Sequence, residues 1–193
     1  STRKESAAAS DVYKRQDQIN GEIKLTGDRL SCRFVISPCS ASIKWPTPSN
    51  KVSSKTESDR HHKLWQHTCF EVFLGLPGGP EYIELNIASN GKWQCYQFDE
   101  VREGMRISEM LTLMGSELKL SKSDAYFDFT LAHSFPIDAA TQIKTGISVV
   151  IETQSADNPE ATEFHYYALA HLGPLPDFHR RDAHIIQLTP DQL

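Results

Sequence analysis

A small group of acidic, amide and aromatic residues lies in the middle of the sequence, within segments that otherwise have the composition of β-strands. Carboxylates and amides orient hydroxyl groups, and the flat face of an indole ring stacks on a C–H-rich sugar face. If the strands are neighbours, these side chains form a patch on one sheet face that suits a sugar-like ligand. The candidate residues are Trp65, Glu71, Glu84, Asn86, Trp93 and Arg102.

Glu71 is the candidate that folding alone explains least well. It stands within the apolar run Cys69–Phe73, where both faces of a strand are hydrophobic. A buried carboxylate without a partner costs on the order of several kcal/mol or takes up a proton. Two interpretations stay open at this point. Glu71 either pairs with Arg102 or Arg106 inside the core, or it faces a cavity as a site residue.

The other candidates also have ordinary structural interpretations. Glu84 and Asn86 alternate with apolar residues along one strand, and such alternation is typical of the solvated face of a sheet. Trp93 is of a residue type that most often packs in a core. Trp65 is the better stacking candidate, because it follows the polar segment Lys44–Lys63, which is rich in Pro, Ser and charge and predicts a long functional loop.

Motifs of known catalytic centres are missing from the sequence. It contains no GxSxG, Walker or GxGxxG pattern, and its eight histidines show no ligand spacing such as HExxH. Glu71 and Glu84 could in principle form the carboxylate pair of a glycosidase, but their positions on strand faces predict no cleft. No spacing pairs a methionine with a histidine for haem. We expect a protein that is not an enzyme, has no metal site and needs no cofactor.

Short β-like runs separated by turn residues fill the chain from Gly21 onward. The best supported are "TCFEVFLGL", "EYIELNIAS" and "KWQCYQFD", joined by a turn at Pro77–Pro80 and by Asn90-Gly91, a strong hairpin signal. Nine to eleven strands without βαβ alternation or repeats predict an all-β sandwich of two antiparallel sheets. A closed barrel is the alternative. A helix over residues 98–114 would have poor apolar spacing and is interrupted by Gly104.

Composition narrows the class of partner. The chain has 193 residues, of which 39% are hydrophobic and 23% charged, as in soluble globular domains. No run approaches the roughly 18 apolar residues that a membrane helix needs. The net charge is −5, and residues 17–193 alone carry −7. We expect neither a membrane nor a nucleic acid as partner, because phosphate binding requires a basic face.

The four cysteines form no CxxC pair, and two of them lie in apolar strand-like runs, which favours reduced core thiols over disulfides. With no signal-peptide pattern visible, we expect a cytoplasmic protein. Residues 1–16 lack apolar periodicity, and their ending "AAASDVYKRQ" resembles a translated sequencing adapter. We expect a disordered or non-native tail there and one sandwich domain over residues 17–193.

Three blocks carry a resemblance to a known family: "LWQHTCFEVFL", "YIELNIASNGKWQCYQFDEVREGMR" and "YYALAHLGPLPDFHRRDAHIIQL". Together they resemble the DOMON-like family, and are most similar to a small bacterial branch related to the family 9 carbohydrate-binding modules. The resemblance covers about residues 19–188 in order. It implies a β-sandwich that binds a ligand without catalysis, a sugar in some relatives and haem in others.

The resemblance also assigns roles to two residues. In the sugar-binding relatives a tryptophan followed six residues later by a strand glutamate contributes to the site, and Trp65 and Glu71 have this spacing. The chain departs from the branch at Ile83 and Tyr167, and the second stacking aromatic has no assigned position. We therefore expect Glu71 at the floor of a concavity and Trp65 at its rim. A haem-binding module and a protein-interaction sandwich remain as alternatives.

Overall fold

Two antiparallel sheets pack face to face in the computed structural model, which describes residues 2–5, 7–8, 18–47, 59–138, 141–158, 160–168 and 177–190. The strands are β1 Thr2–Glu5, β2 Ala7–Ala8, β3 Gln18–Thr26, β4 Arg29–Ser37, β5 Cys69–Gly75, β6 Tyr82–Ile87, β7 Trp93–Phe98, β8 Arg106–Ile107, β9 Leu111–Leu120, β10 Ala125–His133, β11 Ile143–Gln154, β12 Thr162–Ala168 and β13 Ile186–Leu188. Short 3-10 helices span Leu64–Gln66 and Arg181–Ala183. The predicted sandwich is confirmed.

The strand order places β5 at the middle of the larger sheet. The smaller sheet has the order β1-β3-β4-β10-β9, and the larger has β2-β12-β11-β5-β6-β7-β8, with β13 also pairing β11. The three consecutive antiparallel strands expected from the sequence are β5, β6 and β7. Their second connection is a five-residue turn from Ala88 to Lys92, with Gly91 at φ 85°. The tight Asn-Gly signal therefore marks a hairpin whose loop is longer than two residues.

The two sheets differ in how their outer faces are covered. Strands β3 and β4 alternate between buried and exposed positions, because only one of their faces meets the core. In β5, β6 and β7 every residue is buried. Phe70 of β5 packs in the core between the sheets, with ring centroids 4.6 Å from Phe127 and 5.1 Å from Phe34. The opposite face of these strands must therefore be covered by something other than the smaller sheet.

Three loop segments form that cover, which we call the roof: residues 59–67, residues 99–105 and residues 177–184. Leu64 packs on the sheet with Cys69, Ala88 and Val150. Phe178 packs on a second apolar cluster that contains Phe73, Tyr82, Tyr96 and Phe98. The roof explains why the strand that carries Glu71 is apolar on both faces.

Several local expectations have a clear outcome. Residues 98–114 form no helix: they form a turn with positive φ at Arg102 and Gly104, followed by β8 and the start of β9. A Cβ at Gly104 would lie 2.0 Å from the Asp99 carboxylate. Residues 48–58 of the long polar loop lie outside the described residues. The backbone of residues 2–5 pairs with β3 and that of residues 7–8 with β12, and the domain boundary at residue 17 stays a prediction.

All four cysteines are free thiols, three of them buried, as expected from the sequence. Within the described ranges, no helix has the length and apolar character required to cross a membrane. The cytoplasmic location stays a prediction.

We expect Phe70→Ala to destabilise the sandwich by about 3–5 kcal/mol, because it removes a fully buried ring that joins the two sheets. Urea denaturation followed by circular dichroism measures this loss. Leu120→Ala, at a position 57% exposed on β9, is the control and should change stability by less than about 0.5 kcal/mol. Equal losses in the two variants would contradict the assigned core.

Candidate functional site

Strand register gathers the predicted polar residues on the roofed face of the larger sheet. Glu71 is directly opposite Ser148 on one side and Asn86 on the other. Glu84 lies in the next row, opposite Phe73. Glu71 and Glu84 are thus diagonal neighbours on adjacent strands, with backbones on the order of 7–8 Å apart. The acid and amide patch expected from the sequence forms on one face.

A cavity of about 390 Å³ lies between this patch and the roof. Glu71 and Glu84 form its floor. Four phenyl or phenol side chains line it, namely Phe73, Phe98, Tyr166 and Phe178, and Val150 adds an aliphatic contact. Trp65, Arg102, Met105 and His179 also line it. The expected arrangement of an acid floor with a tryptophan rim is therefore present.

Glu71 is only 5% exposed, and its Oε2 accepts a hydrogen bond from the Ser148 hydroxyl. Neither predicted arginine partner forms an ion pair with it. Arg102 donates to Asp177 at 3.0 Å, and Arg106 donates to Asp99 at 2.6 Å. The interpretation of Glu71 as half of a buried ion pair is therefore wrong, and the carboxyl group faces the cavity.

Glu84 and Asn86 are buried too, with 5% and 0% exposure, so the interpretation of this strand face as solvated is wrong. The Asn86 side-chain amide donates to Glu84 Oε1 at 2.5 Å, and the Cys69 thiol lies 3.8 Å from Asn86 Oδ1. Asn86 is not among the residues that line the cavity. Its position supports a role in orienting Glu84 from beside it.

Burial dominates the electrostatics of the floor. Burial and, to a smaller extent, the nearby Glu84 carboxylate raise the pKa of Glu71 to about 8, against the opposing effects of the Ser148 hydrogen bond and the Arg102 charge. Burial also raises the pKa of Glu84 to about 7, against the Asn86 hydrogen bond and Arg102. Two neighbouring buried acids that interact this strongly titrate as a pair. The pair is therefore at least partly protonated at neutral pH.

His179 is a cavity residue that the sequence reasoning did not single out. Its Nδ1 lies 2.8 Å from the Tyr82 hydroxyl, and its Nε2 lies 3.7 Å from Glu84 Oε2. Its ring meets those of Phe73 and Phe98 nearly edge-on. Burial lowers its pKa to about 4, and the Arg102 charge adds to this, so the imidazole is neutral at pH 7. The "PDFHRRD" segment, quoted as a resemblance block, was the available signal.

The two tryptophan candidates are separated by the sheet. Trp65 lies on the 3-10 helix of the roof, is 36% exposed, and meets the Tyr96 ring edge-on at 6.0 Å. Trp93 lies on the core face of β7, because side chains alternate along a strand, and is 6% exposed. The Arg60 guanidinium sits 4.5 Å from its ring centroid. Trp93 is therefore not at the cavity, which corrects its inclusion with the other candidates.

Arg102, the remaining candidate, lines the cavity from the turn between β7 and β8. Its backbone has φ 61°, and its amide donates to the Tyr82 hydroxyl at 3.2 Å. Its side chain is half exposed and paired with Asp177. Arg102 thus contributes a positive charge at the wall, held away from direct contact with the acids.

A larger open groove of about 740 Å³ lies on the outer face of the smaller sheet. Its charged side chains pair with one another, as in Arg33 with Asp128 at 2.6 Å and Lys24 with Glu22 at 3.3 Å. Its aromatic member, Phe129, is buried in the core. The smaller cavity is the better candidate site, because it combines buried unneutralised acids with an accessible ring. Over the described residues, no group of three or more His, Cys, Asp or Glu side chains is arranged to hold a metal ion.

Comparison with known proteins finds similar solved structures but no similar sequence family. No protein-family model and no curated protein sequence matches it. A candidate carbohydrate-binding protein from Bacteroides uniformis superposes with a TM-score of 0.64 at 13% identity, covering 98% of this chain and 86% of the other. A family 9 carbohydrate-binding module from Caldicellulosiruptor kristjanssonii superposes with a TM-score of 0.52 at 10% identity in each of two structures. In the complex with glucose the match covers 94% of this chain and 83% of the module. In the complex with cellotriose it covers 97% of this chain and 82% of the module. At these identities the similarity establishes the fold.

We expect the floor acids to make the folded protein less stable as pH rises. Their folded pKa values lie above the model-peptide value near 4.5, so the folded state holds protons that the unfolded state releases between about pH 4.5 and 8. Stability from this source is full below that window and lost across it. Glu71→Gln/Glu84→Gln should therefore gain stability relative to wild type by ~2 kcal/mol or more from pH 5 to pH 8.

Urea denaturation of both proteins at several pH values measures the difference. Taking the difference cancels the opposite contribution of His179, whose lowered pKa reduces stability at acid pH in both proteins. Parallel pH profiles would show that the acids are ordinary surface carboxyls.

Proposed function

We propose that this protein is a non-enzymatic binding module for a carbohydrate or sugar-containing molecule, held in the roofed cavity. The observation that carries the proposal is the juxtaposition of an accessible indole, Trp65, with two buried acids, Glu71 and Glu84. The structurally similar module in complex with glucose and cellotriose supports the ligand class. Membership of the DOMON-like family is part of the same proposal.

Stacking is the first contribution. Trp65 presents its ring at the cavity mouth from a short helix, and Tyr166, 38% exposed, lies along the same cavity. A pyranose ring has apolar C–H faces that lose water when they pack on an aromatic surface. Tyr166 is also a candidate for the second stacking position that the sequence left unassigned.

Hydrogen bonding from the floor is the second contribution. Ser148 occupies one oxygen of Glu71 and Asn86 occupies one oxygen of Glu84, which fixes both carboxyl groups in orientation. The remaining oxygen of each group can hydrogen-bond a sugar hydroxyl, as an acceptor when the acid is ionised and as a donor when it is protonated. The cavity volume falls near the lower end of the ~300–1,000 Å³ typical of ligand pockets, which suits a ligand of one or two sugar rings.

Glycoside hydrolysis has less support than binding. A glycosidase needs two carboxyl groups on opposite sides of the scissile bond, one as acid and one as base or nucleophile. Glu71 and Glu84 project from adjacent strands of the same sheet face, so both approach a ligand from below. Their surroundings raise the pKa of each, whereas a working pair needs pKa values pushed apart.

Haem binding has less support as well. The cavity contains Met105 and His179, the residue types of an axial pair. The Tyr82 hydroxyl occupies Nδ1 of His179 at 2.8 Å, and Nε2 faces the Glu84 carboxyl group, 3.7 Å away, where an iron atom would have to lie. The acid floor also opposes an anionic propionate-bearing ligand. We expect no Soret band shift when hemin is added to the purified protein.

The protein-interaction alternative would use an exposed sheet edge. One edge strand of the smaller sheet is β9, which carries the exposed charged pair Glu117 and Lys119 and a bulge opposite Thr130 and Leu131. Charges and bulges on an edge strand discourage pairing with another chain. This edge is therefore a weaker functional candidate than the binding cavity.

We expect Trp65→Ala and Glu71→Gln each to weaken saccharide binding by about tenfold or more, which corresponds to roughly 1.4 kcal/mol. The first removes the stacking surface, and the second replaces a carboxyl group that hydrogen-bonds the sugar hydroxyls with an amide that cannot ionise. Isothermal titration calorimetry against glucose, cellobiose and cellotriose measures the change. Trp65→Phe should restore part of the affinity, since it retains an aromatic face.

Matched controls lie on the other sheet. Tyr126→Ala removes a partly exposed ring and Glu117→Gln an exposed carboxylate, and both should bind as wild type does. Unchanged binding in Trp65→Ala and Glu71→Gln, with circular dichroism showing an intact fold, would place the sugar elsewhere on the protein.

A further inference from the structure

The charge balance of the cavity floor restricts the class of ligand. Glu71 and Glu84 are each 5% exposed, and across the described residues no lysine or arginine forms an ion pair with either. Arg102 reaches the cavity wall, but its guanidinium is bound to Asp177. His179 is the nearest basic group to Glu84, and burial keeps it neutral at pH 7. The floor therefore combines two acids with no full positive charge in contact.

The hydrogen bonds of the floor also leave both acids able to accept a cationic donor. Ser148 donates to Glu71 Oε2, and no donor in the described part of the chain reaches Glu71 Oε1. Glu84 receives the Asn86 amide on Oε1, while its Oε2 has only the long 3.7 Å approach of His179. One oxygen of each cavity-lining acid is thus fixed by the protein, and the other has no donor within hydrogen-bond distance among the described residues, which leaves it open for a ligand. Two open carboxylate oxygens on one floor form a receptor for a group that donates several hydrogen bonds and carries a positive charge.

We propose that the preferred ligand is an amino sugar, a saccharide with a free ammonium group that binds between Glu71 and Glu84. The proposal rests on the proposed carbohydrate-binding function and narrows its ligand class. An ammonium group supplies three donors, which match the open oxygens of the two acids. The hexose ring around it supplies the apolar face that the aromatic rim accommodates. A neutral sugar fills the same cavity but supplies no counter-charge, so the two acids keep the protons that burial makes them hold.

Proton exchange follows from this arrangement. An ammonium ion stabilises the ionised form of both acids, so binding lowers their pKa values and releases protons that the unliganded pair holds. The other titratable or charged groups around the pair are Cys69, Tyr82, Tyr96, Arg102, Asp177 and His179. At neutral pH burial keeps the thiol, the two phenols and the imidazole uncharged, and the remaining pair, Arg102 with Asp177, is an ion pair at the rim. The released protons therefore come from the two glutamates.

The test compares matched sugars that differ at one substituent: glucose with glucosamine, galactose with galactosamine, and mannose with mannosamine. Isothermal titration calorimetry at pH 7 should show at least one amino sugar binding about tenfold or more tightly than its neutral parent. N-acetylglucosamine, which has the bulk but not the charge, should not share the gain. Titration in phosphate and in Tris, which differ in ionisation enthalpy, should reveal release of about one proton with the amino sugar.

Substitution of the two floor acids tests whether they cause the preference for amino sugars. Glu71→Gln/Glu84→Gln keeps the shape and acceptors of the two groups and should reduce the ratio of neutral-sugar to amino-sugar Kd to about 1, without proton release. Single substitutions should reduce the ratio in part. Glu117→Gln, on the exposed edge strand of the other sheet, should keep the full preference. Lowering the pH from 7 to 5.5 should also reduce the preference, because the acids become protonated while the sugar amine stays charged.

The outcomes separate this inference from the function on which it rests. Equal binding of amino and neutral sugars, or a preference that persists in the double variant, overturns the amino-sugar assignment and leaves carbohydrate binding in place. Failure of every neutral and amino sugar, together with cellobiose and cellotriose, to bind the wild-type protein overturns both.

Discussion

Burial of the central strands of the larger sheet on both faces is the constraint on which the rest of the structure depends. One face packs against the smaller sheet, and the other is closed by the roof. Any polar side chain on the roofed face must find a protein partner or a ligand, since an unpaired buried acid is costly. Asn86 and Ser148 meet part of that demand for the two glutamates. The remainder is met by the cavity.

The roof is held together by the residues that also shape the cavity. The Tyr82 hydroxyl contacts both the Arg102 amide and the His179 ring, so it joins two roof segments above one strand. His62 approaches the Tyr96 hydroxyl at 3.0 Å and connects the third segment to the sheet. The hydroxyl groups of two buried tyrosines therefore position the segments that carry Trp65, Arg102 and His179. The site and its cover are a single hydrogen-bonded unit.

Periodicity predicted the sheets well, because alternation and turn residues are local signals that the strands obey. The register that aligns Glu71 with Asn86 followed from the hairpin between β5 and β6. The prediction that Trp93 belongs to the site is wrong because successive residues of a strand point to opposite faces. Residue type alone does not say which of the two faces lies under the roof. The role of His179 was missed because it depends on contacts between segments about a hundred residues apart in sequence, such as Tyr82 with His179. The role of Tyr166 was missed because the sequence does not say which face of β12 borders the cavity. The burial of Glu84 was missed for the same reason, since its strand alternates as a solvated one would.

Trp65 lies on a single turn of 3-10 helix, apart from the strands that carry the acids. The pocket therefore has two parts that tolerate substitution to different degrees. The floor belongs to the folding core, so changes there disturb stability and binding together. Trp65, Met105 and Tyr166 are substantially exposed and belong to loops or an outer strand, where substitutions cost little folding free energy. We expect divergence among related proteins to act through these rim positions, changing the length and shape of the saccharide accepted while the chemistry of the floor is retained.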